Sequence, residues 1–354
     1  MEKTCFLQSV LDPPHYGFCG TDGKFHRPAR SRIWAEFRYR MNPFRDRRNW
    51  LTSFGWFMTF LFVPIFALFF LKYFTWKLFA IGFIYSMVLM GTHGTVYLHR
   101  YGTHRAFRFR NRFWVQVVRN LVIKVIPEEI YIVSHHVHHK YSEQAWDPYN
   151  VNGGWLYCFL SDANHQSIAR NLAEKDYLRV ARMVEHTGVR PNTYAQYLKY
   201  GSVAHPVRTL CHYVLNWAGN WAVFYWIGGA PLAVALFGMA GVWAFGVRTF
   251  NYDGHGRGTD RRKAGVDFNR DDQSVNQTWP GYVAGEWHNN HHLYPSSARS
   301  GFLPYQFDGA FEIIRLWHLL GIVSSYRDDL KDFQRDHLEP WLKSLPSKEP
   351  AFEA

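Results

Sequence analysis

The sequence predicts an all-α integral membrane protein in which four transmembrane helices stand beneath a helical cytosolic cap. Three observations carry that expectation: uncharged apolar runs about 20 residues long, basic residues gathered on one side of those runs, and histidine clusters falling on the same side. With 18% aromatic residues the 354-residue chain is too aromatic for disorder, and four scattered cysteines (Cys5, Cys19, Cys158 and Cys211) exclude a disulfide-stapled secreted module. They read as reduced thiols, since no CxxC pair occurs. A net charge of +12 fits nucleic acid or an anionic membrane face, but nineteen histidines are explained by neither.

Residues 1–50 read as a cytosolic arm. Pro13-Pro14 and the lack of a sustained apolar core argue against a cleavable signal peptide. Within the arm, residues 27–50 mix eight arginines with Trp34, Phe37, Phe44 and Trp50, which suits a helix lying on anionic headgroups. Residues 51–71 (LTSFGWFMTFLFVPIFALFFL) carry no charge, and as a helix they cross roughly 30 Å of hydrocarbon. A second uncharged run, 78–98, follows so closely that 51–98 should form a tight antiparallel hairpin. Residues 210–247 contain no Asp, Glu, Lys or Arg and are interrupted by Gly228-Gly229-Ala230-Pro231, a turn signal that divides them into two further spans. Core helices of soluble proteins are usually shorter and amphipathic.

Four spans put both termini on one side, and Lys72 and Lys77 are then the only basic residues in a far-side loop. The positive-inside rule makes the other face cytoplasmic and accounts for the excess charge without nucleic acid. The cap consists of the arm, residues 99–209 and residues 248–354. Residues 112–130 alternate basic and apolar at near-helical spacing, as a helix on the membrane surface would. The last dozen residues, with Pro346 and Pro350, read as a loose tail.

The chemistry lies in three histidine clusters: His99 with His104, His135 with His138 and His139, and His288 with His291 and His292. In an HxxHH pattern on a helix, positions i, i+3 and i+4 share a face, so the imidazoles converge on one point or bridge two nearby points. His136 lies off that face, and His93 reads as packing inside the second span. His15, His26, His165, His186, His212, His318 and His337 are isolated and read as ordinary core or surface residues. Just beyond the last span, Asn251 and His255 reach the level of the first cluster. Nine imidazoles exceed what a tetrahedral zinc could use, so two metals are implied. Imidazole alone admits zinc, copper, iron or nickel; a site at the membrane surface beside aromatic spans suits iron and oxygen activation better than hydrolysis.

On these motifs the sequence resembles the membrane-bound fatty-acyl desaturases, most closely the stearoyl-CoA desaturase branch, over about residues 51–300. HRYGTHRAF at 99–107 is similar to its HX4H box, HHVHHKYSEQAWDPYN at 135–150 to its second box, and GEWHNNHH at 285–292 to its third. Asn251 and His255 match its NxxxH, in which the histidine is a ligand and the asparagine holds an iron-bound water. The resemblance implies a cytosolic cap over a di-iron site and a reaction that uses O2 and external electrons to remove two hydrogens from a long-chain acyl group, presented as a CoA ester, a lipid or a free acid. Without an HPGG-type cytochrome b5 module, electrons should come from a separate partner such as ferredoxin or cytochrome b5 with its reductase. Glu143, Asp147 and Glu286 are candidates to orient ligand imidazoles through the second ring nitrogen. Trp146 and Tyr149 are candidates for the wall of a chain tunnel. Arg100, Lys140 and Arg299 are candidates to hold a carboxylate or phosphate headgroup.

The sequence departs from the branch at Val133-Ser134 and His136, where arginine and aspartate are usual, and in a charged insert at 256–272. A long polar stretch, 161–200, also precedes the third span. These departures keep open a second outcome of the same scaffold, known from bacterial membrane enzymes: oxidative decarboxylation of free fatty acids to 1-alkenes, with the carboxylate held close to the irons. Hydroxylation is a third outcome. A reading from another class, metal storage or sensing at a zinc site, leaves the long aromatic spans without a purpose.

Overall fold

Helix formation follows the apolar runs. The computed structural model describes residues 6–261 and 265–345; Cys5, residues 262–264 of the insert and the expected tail with Pro346 and Pro350 lie outside the described residues. Among those described, three helices are long and apolar enough to cross a membrane: Arg47–Tyr73, Trp76–Thr103 and Pro206–Gly254. Only Phe74 and Thr75 separate the first two, and the Thr75 hydroxyl caps the second by accepting the Leu78 N–H at 3.1 Å. That second helix runs past residue 98 and carries His99 within it.

The count of four is therefore corrected to three. The expected third and fourth spans belong to one 41-residue element, Pro206–Gly246, whose backbone leaves helical geometry only at Gly228 and Gly229. Gly229, at φ 67° and ψ −167°, occupies a conformation closed to side chains with a Cβ. Pro231 then stands in the first turn after the break, where a missing N–H costs little, so two residues suffice for the turn. The element doubles back there. The Trp221 and Phe237 rings lie 5.2 Å apart, although a straight helix would separate them by about 24 Å. Glycines let this element approach the first apolar helix closely: a Cβ on Gly238 would sit 3.0 Å from Phe66 Cα, and one on Gly241 2.7 Å from Phe62 Cβ.

Above the apolar helices, Glu128–Tyr141 forms the centre of the cap. Its Val133 and Val137 pack with Val180 and Val184 of Glu174–Glu185 and with Tyr197 of Tyr194–Tyr200, so the polar stretch 161–200 contributes a packed layer. The surface helix expected over 112–130 is shorter, Arg112–Arg119, because a loop precedes Pro127 and a new helix starts at Glu128. In the arm, helix Arg30–Arg40 buries Ile33, Glu36 and Arg40. Arg40 donates to Asp12 at 2.5 Å and to Glu36 at 2.7 Å, while Arg170 pairs with Asp12 and Asp46. Arg170 of the cap thus ties down the arm, while Arg40 braces the arm internally; Trp34 and Phe44 remain exposed.

The cap is not wholly helical. Phe107–Phe109 pairs antiparallel with Val323–Tyr326, a correction to the all-α expectation. Phe107 and Phe109 point inward around the exposed Arg108, the period-2 alternation that half-buried strands require, but three residues are too few to stand out in the sequence.

Gly238→Val should force the Phe66 backbone away and destabilise the protein by about 1–3 kcal/mol. Thermal unfolding in detergent checks this; an unchanged midpoint would show that the approach of the two helices is not tight.

Candidate metal centre

His104 lies five positions after His99, and on an α-helix that spacing would turn the two rings about 140° apart. The backbone removes the mismatch. Gly94–Thr103 is π-helical, and the His104 N–H reaches back five residues to the His99 carbonyl at 3.1 Å. The wider turn brings the ring centroids to 4.9 Å.

The two HxxHH clusters are each divided in the same way. On helix Glu128–Tyr141, His135 and His139 stand one turn apart and join His99 and His104, whereas His138 diverges. On helix His288–Leu293, His288 and His292 join His138 and His255, whereas His291 crosses to the other set. Two groups result: His99, His104, His135, His139 and His291, and then His138, His255, His288 and His292. Within each group the ligand-capable nitrogens lie within 4.8 Å of one another. In the first, the Nε2 of His291 lies 2.8 Å from that of His99 and 3.0 Å from that of His139. In the second, the Nε2 atoms of His255 and His288 lie 3.1 Å apart.

Carboxylates hold the opposite ring nitrogens. Glu286 reaches Nδ1 of His99 at 3.1 Å and of His288 at 3.5 Å, so one side chain serves both groups. Asp147 accepts from His138 Nδ1 at 2.9 Å, Asp272 from His292 Nδ1 at 2.6 Å, and Glu143 from His255 Nδ1. A carboxylate on Nδ1 keeps the proton there and leaves the Nε2 lone pair for a metal. The Nε2 atoms of His104, His138 and His292 are buried and, among the described residues, have no hydrogen-bond partner. Buried polar atoms without partners are expensive, and inward lone pairs suit a cation. Each group could hold one metal ion. A third set of nearby atoms, on Glu143, His255 and Asp272, consists of two of these orienting carboxylates around one imidazole.

Electrostatics favours neutral rings. Burial, reinforced by neighbouring imidazoles, pushes His104, His135, His139, His288 and His291 well below the usual histidine range. Neutral imidazole is the form that binds metal. Burial also disfavours charge on His138, but Asp147 outweighs it and raises that group. Asp272 is held far below the carboxylate range, because attraction to His292 overcomes burial.

A cavity of about 410 Å3 ends at His99, Glu286 and Tyr131. Its other end lies among Met87, Gly91, Gly94 and Trp243 of the apolar helices. Arg257, Asp253 and Gln277 supply a polar edge, with Arg257 Nε donating to Asp253 at 2.6 Å.

The five side chains expected to touch substrate are absent from this wall. Arg100 is buried and donates to the carbonyls of Ala298 and Gly285, to Ser300 Oγ and to Asp308. Arg299 forms a two-pronged pair with Asp328, 2.9 Å at each contact, and lies over the Phe311 ring. Lys140 is exposed. Trp146 packs near Phe18. Tyr149 bonds Ser134 Oγ at 2.6 Å and, with Asn251, lines a smaller cavity of about 60 Å3. Sequence reasoning missed Asp272 and Arg257, both in the charged insert; their acidic and basic neighbours there gave no local reason to single them out.

The sequence pattern of the fatty acid desaturase family matches residues 74–304, which include all nine histidines. The chain is 26% identical over 260 residues to an icosanoyl-CoA 5-desaturase of Limnanthes douglasii, covering 72% of this chain and 67% of that protein. It is 27% identical over 266 residues to an acyl-CoA C20 Delta5-desaturase of Anemone leveillei, covering 72% and 75%. To an sn-1 stearoyl-lipid 9-desaturase of Synechocystis it is 21% identical over 261 residues, covering 72% and 74%.

Glu286→Gln removes the charge shared by His99 and His288 and should weaken metal retention by roughly 10–100-fold. Metal content after dialysis against graded chelator measures this; retention equal to the parent protein would contradict the bridging role.

Proposed function

We propose that this chain, which belongs to the fatty acid desaturase family, is a membrane oxidoreductase that desaturates a long fatty-acyl chain beside two irons. The cavity running from the apolar helices to His99 and Glu286 carries this reading, because it offers an apolar chain a largely apolar wall leading to the histidines. Bound irons would use O2 and external electrons to remove hydrogen from an unactivated methylene. One would be held by His99, His104, His135, His139 and His291, the other by His138, His255, His288 and His292. The second set has one imidazole fewer, and Asn251, one helical turn before His255 and joined to it by a backbone hydrogen bond of 3.1 Å, would complete it through a water. Glu286, Glu143, Asp147 and Asp272 keep Nδ1 protonated and the rings aimed. The cavity wall holds the acyl chain in register and keeps bulk water away.

The fold-back at Gly228–Gly229 turns the third apolar helix back toward the cap. Lys72 and Lys77 flank the turn between the first two apolar helices, far from the basic residues of the cap, which by the positive-inside rule would make the cap and its histidines cytoplasmic. Electrons would come from a separate donor such as ferredoxin or cytochrome b5 with its reductase.

One observation favours a second reading, oxidative decarboxylation of a free fatty acid. Arg257 lies on the cavity edge two residues beyond His255, where its guanidinium could exchange Asp253 for a substrate carboxylate.

Membranes supplied with a reductant system and a long-chain acyl-CoA or free acid should form an internal alkene of unchanged chain length. A terminal alkene one carbon shorter would decide for the second reading. Gly94→Leu, whose Cβ would start 3.2 Å from the Trp243 ring, should cut long-chain turnover by roughly tenfold or more without loss of iron. Undiminished turnover would remove the cavity from the path.

A further inference from the structure

A separate cavity of about 200 Å3 lies where the loop after Glu174–Glu185 meets the start of Pro206–Gly246 and the segment leading into Glu128–Tyr141. It shares no lining residue with the cavity at the histidines. Four cations line it, Arg119, Lys124, Arg190 and Arg208, against two carboxylates, Glu128 and Glu129. Arg119 and Lys124 converge on the same Glu128 oxygen, at 2.6 and 2.5 Å, so two buried cations share one anion. Glu129 is turned away, bonding Ser202 Oγ at 2.7 Å and the Ala204 N–H at 2.9 Å, and burial pushes it up to about 7. Burial lowers Lys124 to about 8, so near neutral pH three arginines and a largely protonated Lys124 face one full and one partial negative charge. The cavity also receives the N-terminus of Pro206–Gly246, whose first turn has neither a side-chain cap nor an acidic residue. Uncompensated positive charge in a pocket is costly, and an anion relieves it.

The flanks of the cavity indicate which anion. Val207 and Leu210 project from the start of the membrane helix, and Val117 and Leu121 from the neighbouring segment, with exposures of 62, 49, 38 and 55%. A charged socket beside apolar side chains at the end of a membrane helix matches a headgroup joined to acyl chains, which a free ion does not need. We propose that this cavity binds the phosphate of an anionic membrane phospholipid, with the lipid's chains lying along Val207, Leu210 and Leu121.

The test uses the full-length protein in dodecyl maltoside micelles with added phosphatidylglycerol, phosphatidylcholine or inorganic phosphate, followed by thermal unfolding. Phosphatidylglycerol should raise the parent midpoint by about 2–4 °C or more, whereas phosphatidylcholine and 10 mM phosphate should not. Arg190→Gln with Arg208→Gln should lose that shift. If the double variant does not fold, Arg190→Gln alone, at an exposed position, should at least halve it. An equal shift in a folded variant, an equal response to phosphatidylcholine, or a full response to inorganic phosphate alone would each overturn the proposal, the last by identifying a soluble anion as the ligand.

Discussion

Nine imidazoles buried in one small volume pose a problem of protons. Charged rings would repel one another, and neutral rings placed at random would point half of their N–H groups at their neighbours. The fold meets this constraint with acidic side chains behind the rings: Glu143, Asp147, Asp272 and Glu286 take the Nδ1 positions of five histidines and leave Nε2 lone pairs facing inward. Removing the carboxylates would leave rings free to choose the other tautomer. Because Glu286 is shared by both groups, the position of one set of imidazoles is tied to that of the other.

The same constraint explains how the backbone is built around the site. The i, i+3, i+4 spacing recurs on helices Glu128–Tyr141 and His288–Leu293, each giving a pair to one group and a single ring to the other. The exchange clasps the two helices across the centre. The i, i+5 spacing of His99 and His104 fits only because the end of the second apolar helix widens into π geometry. That helix carries the cavity wall as well as the ligand, since Gly91, Gly94, Leu98 and His99 all lie along it. Cavity wall and histidine are therefore positioned by one element.

Much of this was legible in the sequence, and what was not has a common cause. The apolar runs and the histidine spacings are local, periodic signals, and the structure gathers all nine expected imidazoles. A turn signal at Gly228-Gly229-Ala230-Pro231 marks the reversal, but composition does not say whether a loop separates two helices or two residues bend one element. Arg100 and Arg299 stood beside histidine boxes and looked available for a headgroup; Asp308 and Asp328, far along the chain, engage them. Asp272 was hidden because its partner, His292, is likewise set by tertiary packing; Arg257 pairs locally with Asp253, but its place on the cavity edge depends on how the elements pack. The ribbon joining Phe107–Phe109 to Val323–Tyr326 closes over more than 200 residues and leaves no trace in either short segment.

The central claim is that each histidine group holds one iron and that the two ions lie side by side beneath the cap. Anomalous diffraction from crystals of the purified protein, collected on both sides of the iron absorption edge, tests it most directly. The account requires two iron peaks, one surrounded by His99, His104, His135, His139 and His291, the other by His138, His255, His288 and His292. A single peak, or a signal that appears at the zinc edge instead, would contradict it.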